Sequence, residues 1–186
     1  MVLSGKVNPW LVGQLNRNGV KAVGLCGKDG GLVKSRKVHP ETGLGLVGEP
    51  EAVDGSLIEA LWERGFVPVL SSVGADGNGF SLNLNADTLA CTLSKALGAD
   101  VLLLITDTEG VCRCDQGAMS VIPQIQTSEL EGLILEGTIQ GGMIPKVREA
   151  ASAKAGGVAR VGIASWKATN LSSLVTKGGF HGTEIL

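Results

Sequence analysis

Apolar residues along this chain alternate between short unbroken runs and stripes at helical spacing. The first stripe, residues 1–18, predicts a helix with Asn8-Pro9 as N-cap and first helical residue and with Trp10, Leu11 and Leu15 on one face. Lys21–Cys26 predicts a short buried strand, closed by the turn Gly27-Lys28-Asp29-Gly30-Gly31. Leu32–Lys37 and Leu44–Val53 read as hairpin strands around His39–Gly43. Asp54–Arg64 is amphipathic, with Leu57, Ile58, Leu61 and Trp62 inward, and stops at Gly65. Phe66–Val73 is nearly all apolar, which suits a strand covered on both faces, and 75–79 predicts a hairpin turn. A helix over Ala86–Leu97 follows, then a buried strand over Asp100–Ile105 and a helix from Thr127 to about Glu136. The next helix runs to about Ala155 with Met143, Val147, Ala150 and Ala151 as its apolar face. A strand at Val158–Ala164, a helix near Lys167–Val175 and a strand at Thr183–Leu186 close the chain. Such alternation predicts an α/β fold: a mostly parallel sheet with helices on both faces, and an antiparallel lobe from the hairpins at 32–53 and 70–82.

Three stretches carry chemistry beyond this pattern. In Gly141-Gly142-Met143-Ile144-Pro145-Lys146-Val147, two glycines leave first-turn N–H groups accessible, and Pro145 is tolerated because it falls in the first turn. Lys146 opposes the helix dipole there unless an anion is shared between lysine and backbone, which makes the stretch a candidate phosphate site; a solvated lysine on an ordinary helix is the plain alternative. In Asn83-Leu84-Asn85-Ala86-Asp87, Asn85 reads as an N-cap and Asp87 suits the helix dipole. Capping does not account for Asn83, which faces the same way as Asn85. Thr106-Asp107-Thr108-Glu109-Gly110-Val111 follows a buried strand at its C-terminal end, where open α/β sheets bind ligands. The turn at 27–31 has the glycines to cradle an anion, although such turns more often only reverse the chain.

Composition narrows the classes. The 186 residues carry a net charge of −2, so no basic face points to nucleic acid or a membrane surface. Aromatics are 3% with no tyrosine, which argues against a base-stacking surface. Cys26, Cys91, Cys112 and Cys114 read as reduced thiols of a cytoplasmic protein, and a single C-x-C without a nearby histidine is a weak metal signal. No metal site built from the chain's own side chains is expected.

Taken in order and spacing, Asn83–Asp87, Leu104–Asp107 with Gly110-Val111, and Gly137–Val147 resemble the acetylglutamate kinases of the amino acid kinase family, as does the closing Gly182-Thr183-Glu184-Ile185-Leu186. The resemblance implies transfer of the ATP γ-phosphoryl group to the side-chain carboxylate of N-acetyl-L-glutamate, with Mg²⁺ carried by the nucleotide, in arginine biosynthesis. It implies that Lys146 and Asp87 are catalytic, that Asn83 binds substrate, and that Thr106, Asp107, Thr108, Glu109, Gly110, Val111, Thr138, Ile139 and Gln140 line the nucleotide site. It further implies one amino acid kinase-like domain, residues 1–85 belonging to a substrate lobe and 86–186 to a nucleotide lobe, and a cytoplasmic homodimer. The family carries a preceding segment of roughly 70–80 residues with a lysine, two glycine-rich turns and an arginine, so the chain reads as N-terminally truncated and inactive by itself. Two alternatives stand beside this: a non-catalytic nucleotide-binding module, and the related aminoadipate kinase of lysine biosynthesis.

Overall fold

The computed structural model describes residues 2–38, 43, 45–115, 118–167 and 181–186. Most of the expected turn at His39–Gly43 and most of the expected helix near Lys167–Val175 lie outside the described residues. The chain divides into two compact units, Met1–Ala96 and Leu97–Leu186. In chain order the first holds α1 (Asn8–Arg17), β1 (Ala22–Cys26), β2 (Val33–Lys37), β3 (Val47–Val53), α2 (Ser56–Glu63), β4 (Val67–Ser71), β5 (Val73–Ala75), β6 (Ser81–Leu84) and α3 (Ala86–Ala96). The second holds β7 (Val101–Thr106), β8 (Cys112–Asp115), β9 (Ala118–Val121), β10 (Gln124–Ile125), α4 (Leu130–Leu135), α5 (Met143–Ala155), β11 (Arg160–Ser165) and β12 (Thr183–Ile185).

In the first unit, β1 and β4 pair in parallel, with α1 laid across both. The start of α1 departs from the local expectation. A π-helical turn, Leu3–Val7, runs straight into it, so Asn8 is helical rather than a cap. The wider turn accommodates Pro9, whose missing N–H would otherwise interrupt a regular ladder. Asn8 is instead buried, 7% exposed, and its Nδ2 donates to the carbonyls of Val69 at 2.7 Å and Leu25 at 3.4 Å. Gly24 of β1 sits beneath it; a Cβ there would come within 3.2 Å of Val12 Cγ2. The face that α1 turns to the sheet is therefore Asn8, Val12 and Leu15, which leaves Trp10 64% exposed. Trp62 is likewise 51% exposed while Ile58 is buried. A two-stranded sheet is too narrow to cover the whole apolar stripe of α2. The same narrowness leaves Phe66 and Val67 exposed at the start of β4, where a strand covered on both faces was expected.

The antiparallel lobe closes on itself. Hairpins β2–β3 and β5–β6 are joined through parallel pairs β2–β5 and β3–β6 into a small barrel. Val33, Leu82 and Leu84 fill its interior. The β5–β6 turn forms as expected. The Asp76 carboxylate accepts from the N–H groups of Asn78 at 2.9 Å and Phe80 at 2.8 Å, and Gly79 supplies the left-handed residue at φ +81°.

The second unit is built on a sheet ordered β10-β12-β11-β7, with β11 parallel to β7, antiparallel to β12, and β10 parallel to β12. Val161, Ile163, Ala164 and Ile185 are fully buried in it. Helix α5 packs on β11 and β7 through Val147, Ala150 and Ala153, spaced three apart, so Ala153 takes the place expected of Ala151. Arg160 and Glu184 bridge β11 and β12, Nε to Oε1 at 2.8 Å. A separate antiparallel hairpin, β8–β9, is a feature that the residue pattern did not suggest.

Candidate functional site

At the end of β6 and the start of α3, Asn83 and Asn85 are both exposed, while Leu82 and Leu84 point into the barrel. Asn85 Oδ1 accepts from the N–H groups of Asp87 at 2.9 Å and Thr88 at 3.1 Å, which makes it the N-cap of α3. Asp87 is half-buried in the first turn. Strand, cap and helix thus set Asn83, Asn85 and Asp87 along one short path.

The turn Gly27–Gly31 is tied down at both ends. The Cys26 N–H is held by Asp29 Oδ2 at 2.7 Å and the Gly27 N–H by the Val73 carbonyl at 2.6 Å. The N–H groups of Gly31 and Leu32 are engaged within the turn. These bonds close the turn and fasten β1 to β5. Lys28 Nζ donates to Ser81 Oγ at 3.2 Å, at the barrel's edge.

In the second unit the candidate residues gather at one edge. Thr106 and Ser165 are register partners on parallel β7 and β11, so both strands end together. Helix α5 enters β11 through a short connection, and therefore runs back so that its first turn lies at this same carboxyl edge. That places Lys146 and the preceding Thr138–Gln140 on the side where the Thr106–Val111 loop opens. Strand β12 is antiparallel to β11, and its first residue, Thr183, pairs with Ile163 near that edge too.

The loop divides into an open and a buried part. Asp107, Thr108 and Glu109 are exposed, and Thr106 Oγ1 donates to Asp107 Oδ1 at 3.2 Å. Gly110 and Val111 are buried and held from below. Thr183 Oγ1 accepts from the Val111 N–H at 2.7 Å and donates to the Ile122 carbonyl at 2.7 Å. A Cβ on Gly110 would come within 2.7 Å of that same oxygen. Burial, with Glu109 nearby, raises the Cys112 thiol above its ordinary value.

Before α5, Gly137 and Gly141 take positive φ, and the N–H groups of Thr138 and Ile139 bond the Leu133 carbonyl. Ile139 is buried as an anchor, whereas Gln140 is exposed and its Nε2 donates to the Gly137 carbonyl. Lys146 is half-buried in the first turn of α5, directly before the buried Val147.

Two residues at this edge escaped the sequence reading. Trp166 is exposed next to the loop, and its N–H donates to the Thr106 carbonyl at 2.9 Å. Lys167 Nζ lies 5.6 Å from the centre of its ring. An indole immediately after a buried strand was the available signal. Thr183 is the other, a threonine on the inward face of its strand, which it shares with buried Ile185.

Comparison with known proteins bears on the family and the fold. The family model described as "Amino acid kinase family" matches residues 1–165. A protein of Synechococcus sp. named acetylglutamate kinase is 48% identical over 147 residues, 79% of this chain and 48% of that protein. One of the same name from Acidiphilium cryptum is 43% identical over 192 aligned residues, 96% of this chain and 63% of that protein. The chain spans about half to two thirds of the length of the curated relatives it matches. Among solved structures, smu.665 from Streptococcus mutans superposes with a TM-score of 0.83 at 31% identity, over 99% of this chain and 68% of that one. By the family model, these relatives and the shared α/β fold, the chain belongs to the amino acid kinase family.

Proposed function

We propose that the protein is a phosphotransferase that moves the ATP γ-phosphoryl group to the side-chain carboxylate of N-acetyl-L-glutamate, as a step of arginine biosynthesis. The observation that carries the reading is Lys146. It stands in the first turn of a glycine-entered helix, at the sheet edge where the Thr106–Val111 loop opens, in a chain 48% identical to a protein named acetylglutamate kinase. A carboxylate is already ionised at neutral pH and needs no general base, so positioning and charge stabilisation carry the reaction. Lys146 stabilises the phosphoryl group as its charge redistributes. Asp87 orients the catalytic cations, and Asn83 holds the acetylglutamate.

The exposed Asp107, Thr108, Glu109 and Gln140 contact the nucleotide, whereas buried Gly110, Val111 and Ile139 fix the backbone that presents them, and half-buried Thr106 and Thr138 sit between the two. In this scheme residues 1–85 serve the substrate and 86–186 the nucleotide, with Asp87 at the border. Mg²⁺ enters on the nucleotide's phosphates, whose negative charge it offsets. No helix among the described residues is long and apolar enough to cross a membrane. A cytoplasmic homodimer belongs to the same proposal.

Because the curated relatives are longer, the proposal for residues 1–186 alone is nucleotide binding without turnover. A chimera tests the full activity. Residues 1–186 replace the matched region of the Acidiphilium protein, and acyl phosphate is trapped as the hydroxamate. The expected result is product with N-acetylglutamate, and a Lys146→Ala chimera with kcat lower by about 10²–10³ and little change in KM. A folded, ATP-binding chimera that makes no product, or prefers an aminoadipate substrate, overturns the assignment. Near-normal kcat for the Lys146→Ala chimera removes that lysine from the mechanism.

A further inference from the structure

Cys112 and Cys114 stand two residues apart on β8, so their side chains leave the same face of the strand. The antiparallel register sets Met119 of β9 directly opposite Cys114, on that same face, with Arg113 and Ser120 on the other. Opposed Cβ atoms in such a pair lie about 4.5–5.5 Å apart. Cys114 is exposed and Cys112 half-buried, and Met119 is 69% exposed, so core packing does not set the place of the thioether. The C-x-C spacing alone is a weak signal; the cross-strand methionine is what the fold adds.

From this arrangement we propose that the β8–β9 hairpin binds a soft monovalent cation, Cu(I), through Cys112 Sγ and Cys114 Sγ as thiolates and Met119 Sδ as the third ligand. Thiolate and thioether donors select soft ions, and three sulfurs satisfy Cu(I). A structural zinc site normally closes with four nitrogen, sulfur or oxygen ligands, and no such set exists among the described residues. A disulfide is the competing use of the two thiols. Two residues along a strand are about 6.8 Å apart, and their Cβ atoms point out in parallel, whereas a disulfide brings Cβ atoms to about 3.8 Å. An ion with metal–sulfur bonds of about 2.3 Å spans sulfurs up to about 4.6 Å apart without bending the strand. Binding releases one proton from each thiol. In the ion-free protein the Cys112 thiol donates to the Gly110 carbonyl at 3.7 Å, a bond that is given up when the thiolate takes the ion.

The test is anaerobic titration of reduced residues 1–186 with Cu(I) against a coloured chelator that reports the ion not taken up. One equivalent per chain is expected. Cys112→Ser and Cys114→Ser should each weaken binding at least tenfold, whereas a Cys26→Ser/Cys91→Ser double variant should leave it unchanged. Met119→Leu keeps the stoichiometry but should lower affinity several-fold. Cys114 and Met119 are exposed, so their variants keep the proposal falsifiable if Cys112→Ser fails to fold. No uptake against the chelator, or uptake that survives both Cys114→Ser and Met119→Leu, overturns the site; a Met119→Leu protein equal to wild type overturns the third ligand.

Discussion

Replacing Thr183 by valine should destabilise the second unit by about 2–4 kcal/mol, a large effect for one oxygen atom. The shape barely changes, so no cavity opens. What disappears is a hydroxyl that is fully buried and bonded on both sides, to the Val111 N–H at 2.7 Å and the Ile122 carbonyl at 2.7 Å. A buried donor left without a partner costs about 1–3 kcal/mol. The Ile122 carbonyl, with two lone pairs, adds less, about 1 kcal/mol. Thr183→Ser is the control, because it keeps the hydroxyl and removes one methyl group, about 1 kcal/mol. The two variants are compared by urea unfolding followed by circular dichroism, where a shifted midpoint at constant slope reports stability alone. ATP affinity measured below the transition should also fall for valine and not for serine, since the Val111 N–H closes the proposed nucleotide loop. Valine and serine variants of equal stability would refute the reasoning and reduce Thr183 to a space-filler.

Asn85→Ala removes the N-cap of α3 and should cost about 1 kcal/mol by the same unfolding assay, with Asn85→Asp close to wild type. The Glu131 carboxyl is held below its ordinary value of 4.5 by the paired hydrogen bonds from Arg148. A depressed carboxylate contributes stability above its unfolded pKa and loses it as pH falls through the folded one. Glu131→Gln should therefore be less stable than wild type at pH 7, with the gap closing below pH 4.5 and narrowing at high salt, as a pH series of thermal melts would record. Asn83→Ala in the chimera should chiefly weaken acetylglutamate and Asp107→Ala chiefly ATP, read by titrating each variant with each ligand; both acting on ATP alone would undo the division into two lobes.

Elements whose defining contacts are local were legible in the sequence. The Asp76 turn, the Asn85 cap and the glycine-entered start of α5 are all closed by bonds within four residues, so type and spacing suffice to predict them. The α/β alternation and the family motifs were legible for the same reason. Closure of the barrel through β2–β5 and β3–β6 was not, because those parallel pairs join residues far apart and leave no mark on the local alternation. Trp10 and Trp62 were misplaced because periodicity reports which face is apolar, not how wide a neighbour covers it.

Asn8 and Thr183 show where local rules mislead about a site. Asn8-Pro9 fits an N-cap, yet the residues before it are helical and its amide bonds a carbonyl 61 residues away. Thr183 looks like an ordinary strand residue, yet its hydroxyl holds the loop backbone 72 residues earlier. In both cases a polar side chain lies on a face otherwise committed to the core, and burying it without a partner would cost more than its packing returns. Thr183 alternates with the fully buried Ile185, so it must point inward. An inward threonine next to a sheet edge needs a partner, and the backbone most in need of one is a loop that leaves the sheet. The residues that present a candidate site can thus be found by motif, but those that hold it are found by asking what an inward polar group must satisfy.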